Sequence, residues 1–264
     1  MFDSGFGGLH VLAGLVKEMP AYNYVYLGDS ARIPYGKRSQ EEIYVFTKQA
    51  VDFLHRKNCD LIIIACNSAS SEALSRIQKE HIIHARHRRV LGVLVPSAEE
   101  AVAVTKNGRI GVIATEATVR SGAYEREIKK LVSLAEVFSY ACPLLVPLVE
   151  EGLDVSRIAA ATVNGSLKPI LKHRVDTLVL GCTHYGILEP LIRTAIGDTP
   201  IIISQQQIIP PKLVDYLARH PEIESRLAKD SVRIFYTTDT TDKFSRLGSR
   251  FFGGVINSHL IALP

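Results

Sequence analysis

The sequence predicts an α/β fold made of two pseudo-symmetric parallel-sheet halves that face each other across a cleft. Three observations carry this expectation. Short apolar runs alternate with longer amphipathic stretches, the strand–helix alternation of parallel α/β proteins. The apolar runs are hydrophobic almost without a break, as strands covered on both faces are. One strand-like segment also occurs twice. "CDLIIIACNSASSEAL" (59–74) and "VDTLVLGCTHYGIL" (175–188) each run from an aspartate, Asp60 or Asp176, through apolar β-formers to a cysteine at the same spacing, Cys66 or Cys182.

In chain order, "YNYVYLG" (22–28), "DLIIIAC" (60–66), "VLGVLV" (90–95), "RIGVIAT" (109–115), "DTLVLGC" (176–182) and "PIIIS" (200–204) read as strands. Between them "SQEEIYVFTKQAVDFLHRK" (39–57), "SAEEAVAVTKN" (97–107) and "SGAYEREIKKLVSL" (121–134) have helical spacing and residues suited to caps. "VRIFYT" (232–237) follows as a late strand and "DTTDKFSRLGSRFF" (239–252) as a closing helix. "IGVIATEATV" (110–119) also corresponds to "MFDSGFGGLHV" (1–11), each an apolar lead-in followed by a polar turn. Two pairs of matching elements give two halves, expected as residues 1–94 plus 205–264 and residues 95–204. Ligands of open α/β sheets sit beyond the carboxyl ends of strands, so Cys66 and Cys182 are expected on opposite walls of one cleft.

Composition narrows the function class. With 264 residues, 47% apolar and 22% charged, the chain has the makeup of a soluble globular enzyme. No apolar run approaches the roughly 20 residues needed to span a bilayer, so no membrane association is expected. The opening "MFDSGFGG" shows neither a basic nor an apolar leader region. A formal charge of +4 does not argue for nucleic acid. The densest basic stretch, "HARHRR" (84–89), lacks interleaved aromatics and is expected to be a solvated loop. The four cysteines include no CxxC pair, which fits reduced cytosolic thiols rather than a disulfide framework or a zinc site.

Several segments could carry chemistry. "DSGFGGLH" lacks the spacing of a dinucleotide or P-loop motif. It reads either as a tight turn or as a strand end presenting Asp3, Ser4 and the following backbone amides to a ligand carboxylate. "GDSARIPYG" (28–36) is likewise a turn that could offer backbone donors and the Tyr35 hydroxyl. Taken singly, Cys66 and Cys182 could each be a buried core thiol. As a matched pair they read differently, because Asn67 and Ser68 follow one, and Thr183 and His184 the other. Strand ends that lead into helix N-termini lower a thiol's pKa. Cys59 and Cys142 lack that setting and are expected to be structural. His184 could be a satisfied core histidine or a proton partner of Cys182. "PLVEEG" (147–152) places Glu150 and Glu151 at an expected helix start, one to cap and one to reach the cleft. Two opposed thiols suit racemisation: one removes a carbon-bound proton and the other returns it on the opposite face, without a cofactor. A Cys–His hydrolase would use one thiol and leave the duplication unexplained.

"FDSGFGG", "GDSARIPYG", "CNSAS", "PLVEEG" and "GCTHY" together resemble glutamate racemase, within the aspartate/glutamate racemase superfamily, over residues 2 to about 252. The resemblance implies cofactor-independent interconversion of L- and D-glutamate, supplying peptidoglycan synthesis, by a cytoplasmic enzyme that is commonly a homodimer. It also implies residue roles. Cys66 would act on D-glutamate and Cys182 on L-glutamate, assisted by Asp3 and His184, with Glu150 tuning the His184 side. Ser4, Pro34, Tyr35, Gly36, Asn67, Ser68, Thr118 and Thr183, with Asp3 and His184, would hold the substrate. Four departures stand out: the short lead-in before Asp3, Ser68 in place of threonine, Gly186 in place of proline, and "IIISQQQIIPPKL" (201–213) where an Asp-Ser stretch is common. That last segment is expected to lie away from the chemistry. The alternatives are a racemase of another acidic amino acid, such as aspartate, and a silent binder of acidic metabolites.

Overall fold

A computed structural model describes residues 1–84 and 88–264, and among these residues ten strands form two sheets. In chain order the strands are β1 (Phe2–Asp3), β2 (Tyr24–Gly28), β3 (Leu61–Ile64), β4 (Arg89–Gly92) and β5 (Arg109–Ala114), then β6 (Glu136–Ala141), β7 (Thr177–Gly181), β8 (Ile201–Ile203), β9 (Arg233–Thr237) and β10 (Ser258–Leu260). The first sheet has the order β10-β9-β2-β1-β3-β4 and the second β6-β5-β7-β8. Every recorded pairing is parallel. The order β2-β1-β3-β4 thus recurs as β6-β5-β7-β8, and β9 and β10 extend the first sheet only. The two cysteine-bearing segments, β3 and β7, occupy equivalent places, each beside its sheet's leading strand, β1 or β5.

Local chemistry explains most element boundaries. Helix Gln40–Arg56 starts at a full capping box: the Glu42 amide donates to Ser39 Oγ at 3.3 Å, and the Ser39 amide to Glu42 Oε2 at 3.0 Å. The run 90–95, expected as one strand, instead ends as a strand at Gly92 and continues as helix Leu94–Val104. Pro96 sits in that helix's first turn, where its missing N–H leaves no bond unmade. The helix expected over 121–134 spans Ala123–Leu131 and begins after Gly122, whose φ of +61° is left-handed. β1 has only two residues, yet it is central: Ala65 N–H donates to Phe2 O at 2.8 Å and Leu27 N–H to Met1 O at 2.9 Å. β6 and β10 escape the continuous-apolar criterion because they include polar residues and stay partly exposed, with "EVFSYA" half-exposed and exposed throughout.

The shared aspartates lie at the far ends of their strands and are structural. Asp60 accepts from Arg226 Nε at 2.9 Å, and Asp176 ties down the amides of Lys106 and Asn107 at 2.7 and 2.8 Å. Within the basic stretch 84–89, residues 85–87 lie outside the described residues. No described helix is long and apolar enough to cross a membrane.

Candidate active site

Four strands end at one small cavity. Ser4 follows β1, Cys66 follows β3 by two residues, Thr115 follows β5 and Cys182 follows β7, and all four line it. The remaining wall is Ile33, Pro34, Tyr35, Gly36, Asn67, Ser68, Val146, Glu150, Thr183 and His184. The cavity therefore sits beyond the carboxyl ends of strands from both sheets, where open α/β sheets bind ligands. Its volume is about 30 Å³, room for roughly two waters.

Cys66 and Cys182 are both buried, 6% and 7% exposed, but they sit in different surroundings. Cys66 caps helix Asn67–Glu72. Burial, and next the nearby Asp3 carboxylate, push its thiol up to about 12, against the opposing pull of the Ser4 hydroxyl and the Ala69 amide. Cys182 opens a tight 3-10 turn, Thr183–Gly186, which folds His184 back so that Nδ1 lies 3.9 Å from the Cys182 sulfur. His184 Nε2 meets Glu150 Oε1 at 3.1 Å, and Phe251 stands edge-on to the ring at 5.5 Å. Burial disfavours the imidazolium, but the hydrogen bonds and charges of Cys182 and Glu150 outweigh it and raise His184 to about 10.

Asp3 lies behind the cavity wall and is fully buried. The amides of the glycine loop, expected to face a ligand, instead face this carboxylate: Gly5 N–H donates to Asp3 Oδ2 at 2.9 Å, and Gly8 N–H also bonds to it. Thr183 Oγ1 donates to Asp3 Oδ1 at 3.3 Å, a bond from one sheet's loops to the other's. Burial raises the Asp3 carboxyl above the ordinary range, although His184's charge and these donors pull it down. Gly7 is required at this junction, because a Cβ there would lie 2.3 Å from Thr183 Oγ1 and 2.8 Å from His184 Nδ1.

Three further expectations change. The Tyr35 hydroxyl donates to Asp29 Oδ2 in the interior, so Tyr35 can offer a ligand only its backbone and ring. Glu150 ends helix Leu145–Glu150 rather than starting one. A carboxylate there opposes the helix dipole, and its compensation is His184. Glu151 is exposed and takes no part. Thr118 is buried but stands behind the wall, its hydroxyl 3.1 Å from that of Thr115. Thr115 is the residue the sequence reading missed. Its hydroxyl is 2.9 Å from Ser68 Oγ, and its side chain packs against Gly36, where a Cβ would lie 2.7 Å away. The available signal was its position, the first polar residue after β5.

The segment 201–213 is not wholly peripheral. Gln205 is buried, and its amide pairs with that of Asn67. Gln206 donates to Glu189 at 3.1 Å and fills the space above Gly186, where a Cβ would lie 2.6 Å from Gln206 Oε1. Two departures from the family pattern are therefore neighbours. Cys142 is buried and Cys59 half-buried, and neither lines the cavity.

Comparison with known proteins agrees with this arrangement. The model of the Asp/Glu/hydantoin racemase family matches residues 7–209. A glutamate racemase of Geobacter metallireducens is 38% identical over 254 residues, 96% of this chain and 92% of that protein. The crystal structure of glutamate racemase isoform RacE1 from Bacillus anthracis superposes with a TM-score of 0.91 at 35% identity, covering 100% of this chain and 96% of the other. Glutamate racemase from Francisella tularensis, in complex with D-glutamate, gives 0.89 at 31% identity, with 99% and 95% covered. With strand ends from two matched sheets converging on a pair of thiols, and likeness of this extent in sequence and fold, the chain belongs to the Asp/Glu/hydantoin racemase family.

Proposed function

We propose that the chain interconverts L- and D-glutamate by moving the α-proton between two cysteines, with no cofactor. The observation that carries this reading is the pair of thiols at equivalent strand ends, lining one cavity, each with its own polar partner. Cys182, as thiolate beside the His184 imidazolium, removes the α-proton of L-glutamate. The Cys66 thiol then delivers its proton to the opposite face of the carbanion, leaving Cys66 as thiolate and Cys182 as thiol. The D to L direction runs the same transfers backwards, with Asp3 assisting Cys66. Developing negative charge is met by donors already in the wall, among the linked hydroxyls of Ser68 and Thr115 and the Asn67 amide.

Substrate holding is assigned to Ser4, Asn67, Ser68 and Thr183, to the backbone of Pro34, Tyr35 and Gly36, and to Thr115, with Thr118 supporting Thr115 from behind. Because the cavity is small, the cleft must open to admit an amino acid and close again around it. We divide the chain into residues 1–94 plus 205–264 and residues 95–204, the parts whose relative motion would do this. The family resemblance supports reading the enzyme as a cytoplasmic homodimer that supplies peptidoglycan synthesis. Sedimentation of the purified chain tests the dimer.

The activity is tested by incubating the protein with each enantiomer of glutamate and of aspartate in D₂O. Circular dichroism follows optical rotation and NMR follows loss of the α-proton. Glutamate is expected to racemise with α-deuteration from either side. Turnover of aspartate in preference would move the assignment to an aspartate racemase. Ligand binding without exchange would make the chain a binder.

A further inference from the structure

Behind the Cys66 wall, three buried polar side chains from separate parts of the fold close on one another. Asn67 begins the helix after β3, Tyr124 lies on helix Ala123–Leu131 of the second sheet, and Gln205 begins helix Gln205–Arg219 after β8. Asn67 Oδ1 accepts from Tyr124 Oη at 2.8 Å and from Gln205 Nε2 at 2.8 Å, while Asn67 Nδ2 donates to Gln205 Oε1 at 3.0 Å. All three residues are no more than 3% exposed. Both lone pairs of the Asn67 carbonyl are thereby used, and one hydrogen of its NH₂ has no partner among the described residues. Turning one amide alone would set donor against donor, and turning both would take from the Tyr124 hydroxyl the acceptor it uses, Asn67 Oδ1. Asn67 itself lines the cavity.

We propose that Gln205 is a positioning residue that locks the Asn67 amide with its free N–H available to the cleft, where it donates to a substrate carboxylate oxygen. The proposal rests on the glutamate racemase reading and names how one substrate contact is oriented. A free amide could present its oxygen or its nitrogen. This one is committed as a donor, which suits a carboxylate and not an ammonium group. Gln205 makes no contact with the cavity itself, so its effect must pass through Asn67. A buried donor or acceptor deprived of its partner is costly, so the lock fails if Gln205 cannot supply both a donor and an acceptor.

The test is a double-mutant cycle on kcat/KM for both glutamate enantiomers, with melting temperature measured alongside. Q205A should lower kcat/KM about tenfold, roughly one lost hydrogen bond's worth of orientation. Q205E keeps the shape but offers no N–H to Asn67 Oδ1, and should lose more than Q205A. In the N67A background, Q205A should lower kcat/KM no further, since there is no longer an amide to orient. If N67A turns over too slowly, calorimetric binding of D-glutamate to the same four proteins gives the same comparison. Equal, additive losses in both backgrounds would overturn the proposal and make Gln205 a packing residue. So would a folded Q205E with wild-type kcat/KM. Wild-type protein that leaves glutamate unchanged would sink the activity reading itself, and this inference with it.

Discussion

The two cysteine-bearing strand ends share a backbone plan but differ in their electrostatics. After β3 the chain enters a helix, and burial first, then the charge of Asp3, favour a proton on the Cys66 sulfur. After β7 it makes a 3-10 turn, and the partner of Cys182 is the His184 imidazole, whose charged form is favoured, against its burial, by Cys182 itself and by Glu150. The two strand ends thus offer matching positions for a sulfur, and the few residues that follow each one set unlike surroundings for it.

The most severe way to break this comparison is to remove either sulfur. C66A and C182A should each lose racemisation by at least about 10³-fold, because inversion needs an acid and a base, and general acid–base groups contribute roughly 10²–10⁴ each. Both should stay folded, since a thiol at a cavity wall removes little buried volume. The remaining thiol should still act on one side only. With a β-chloro analogue, C182A should eliminate chloride from the D-enantiomer and C66A from the L-enantiomer. Equal loss of both enantiomers in folded C66A and C182A would remove the opposed-thiol assignment.

A smaller effect is expected at His184. H184N should lower kcat for L to D about 10²-fold and kcat for the reverse direction less, with KM changing in step so that kcat/KM falls equally for both enantiomers. E150Q should be milder, about tenfold. His184 is raised from its ordinary 6.5 to about 10, so the charged form persists through neutral pH. Its contribution to stability should be complete below about pH 6.5 and be lost as pH rises through about 10. Melting temperatures of wild type and H184N should therefore converge on the alkaline side. If their difference grows there instead, His184 is not held as a cation.

At the junction between the two ends, G7A tests the contact of the glycine loop with Thr183 and His184. The backbone at Gly7 is ordinary, with φ −59°, so only space is at issue. Forcing a methyl group into that packing should cost about 1–3 kcal/mol, read by denaturant titration, and should impair the Cys182 side first. The smallest effects belong to the 201–213 segment beyond Gln205. Q206A and Q207A should leave kcat unchanged and lower stability by less than about 1 kcal/mol. G186A should be destabilising alone and better tolerated with Q206A, since the side chain it meets is then gone.

How far the sequence could be read depended on what each signal measures. Continuous apolar runs made β2, β3, β5, β7, β8 and β9 legible, while β6 and β10, which carry polar residues and exposed positions, were not. The site's outline was legible because strand ends, cysteines and their polar followers are local features. What could not be read was where a polar group points. The Tyr35 hydroxyl turns inward to Asp29, and the Gly5 and Gly8 amides turn to Asp3. Glu150 was assigned to the cleft through the family resemblance, but its helix end was misjudged. Thr115 looked like the close of a strand, and Gln205 like filler, because their partners Ser68 and Asn67 are remote in sequence.

The first sheet is assembled from both ends of the chain, and this has a consequence for synthesis. Strands β5 to β8 are contiguous, from residue 109 to 203, so the second sheet can close while the ribosome is still translating. β2, by contrast, keeps one edge open until β9 emerges, and its unpaired backbone groups need cover during that interval. β9 then seals that edge of the Cys66 sheet. The nascent chain can therefore complete the sheet behind Cys182 before the one behind Cys66, whose strands β9 and β10 follow β8 in the chain.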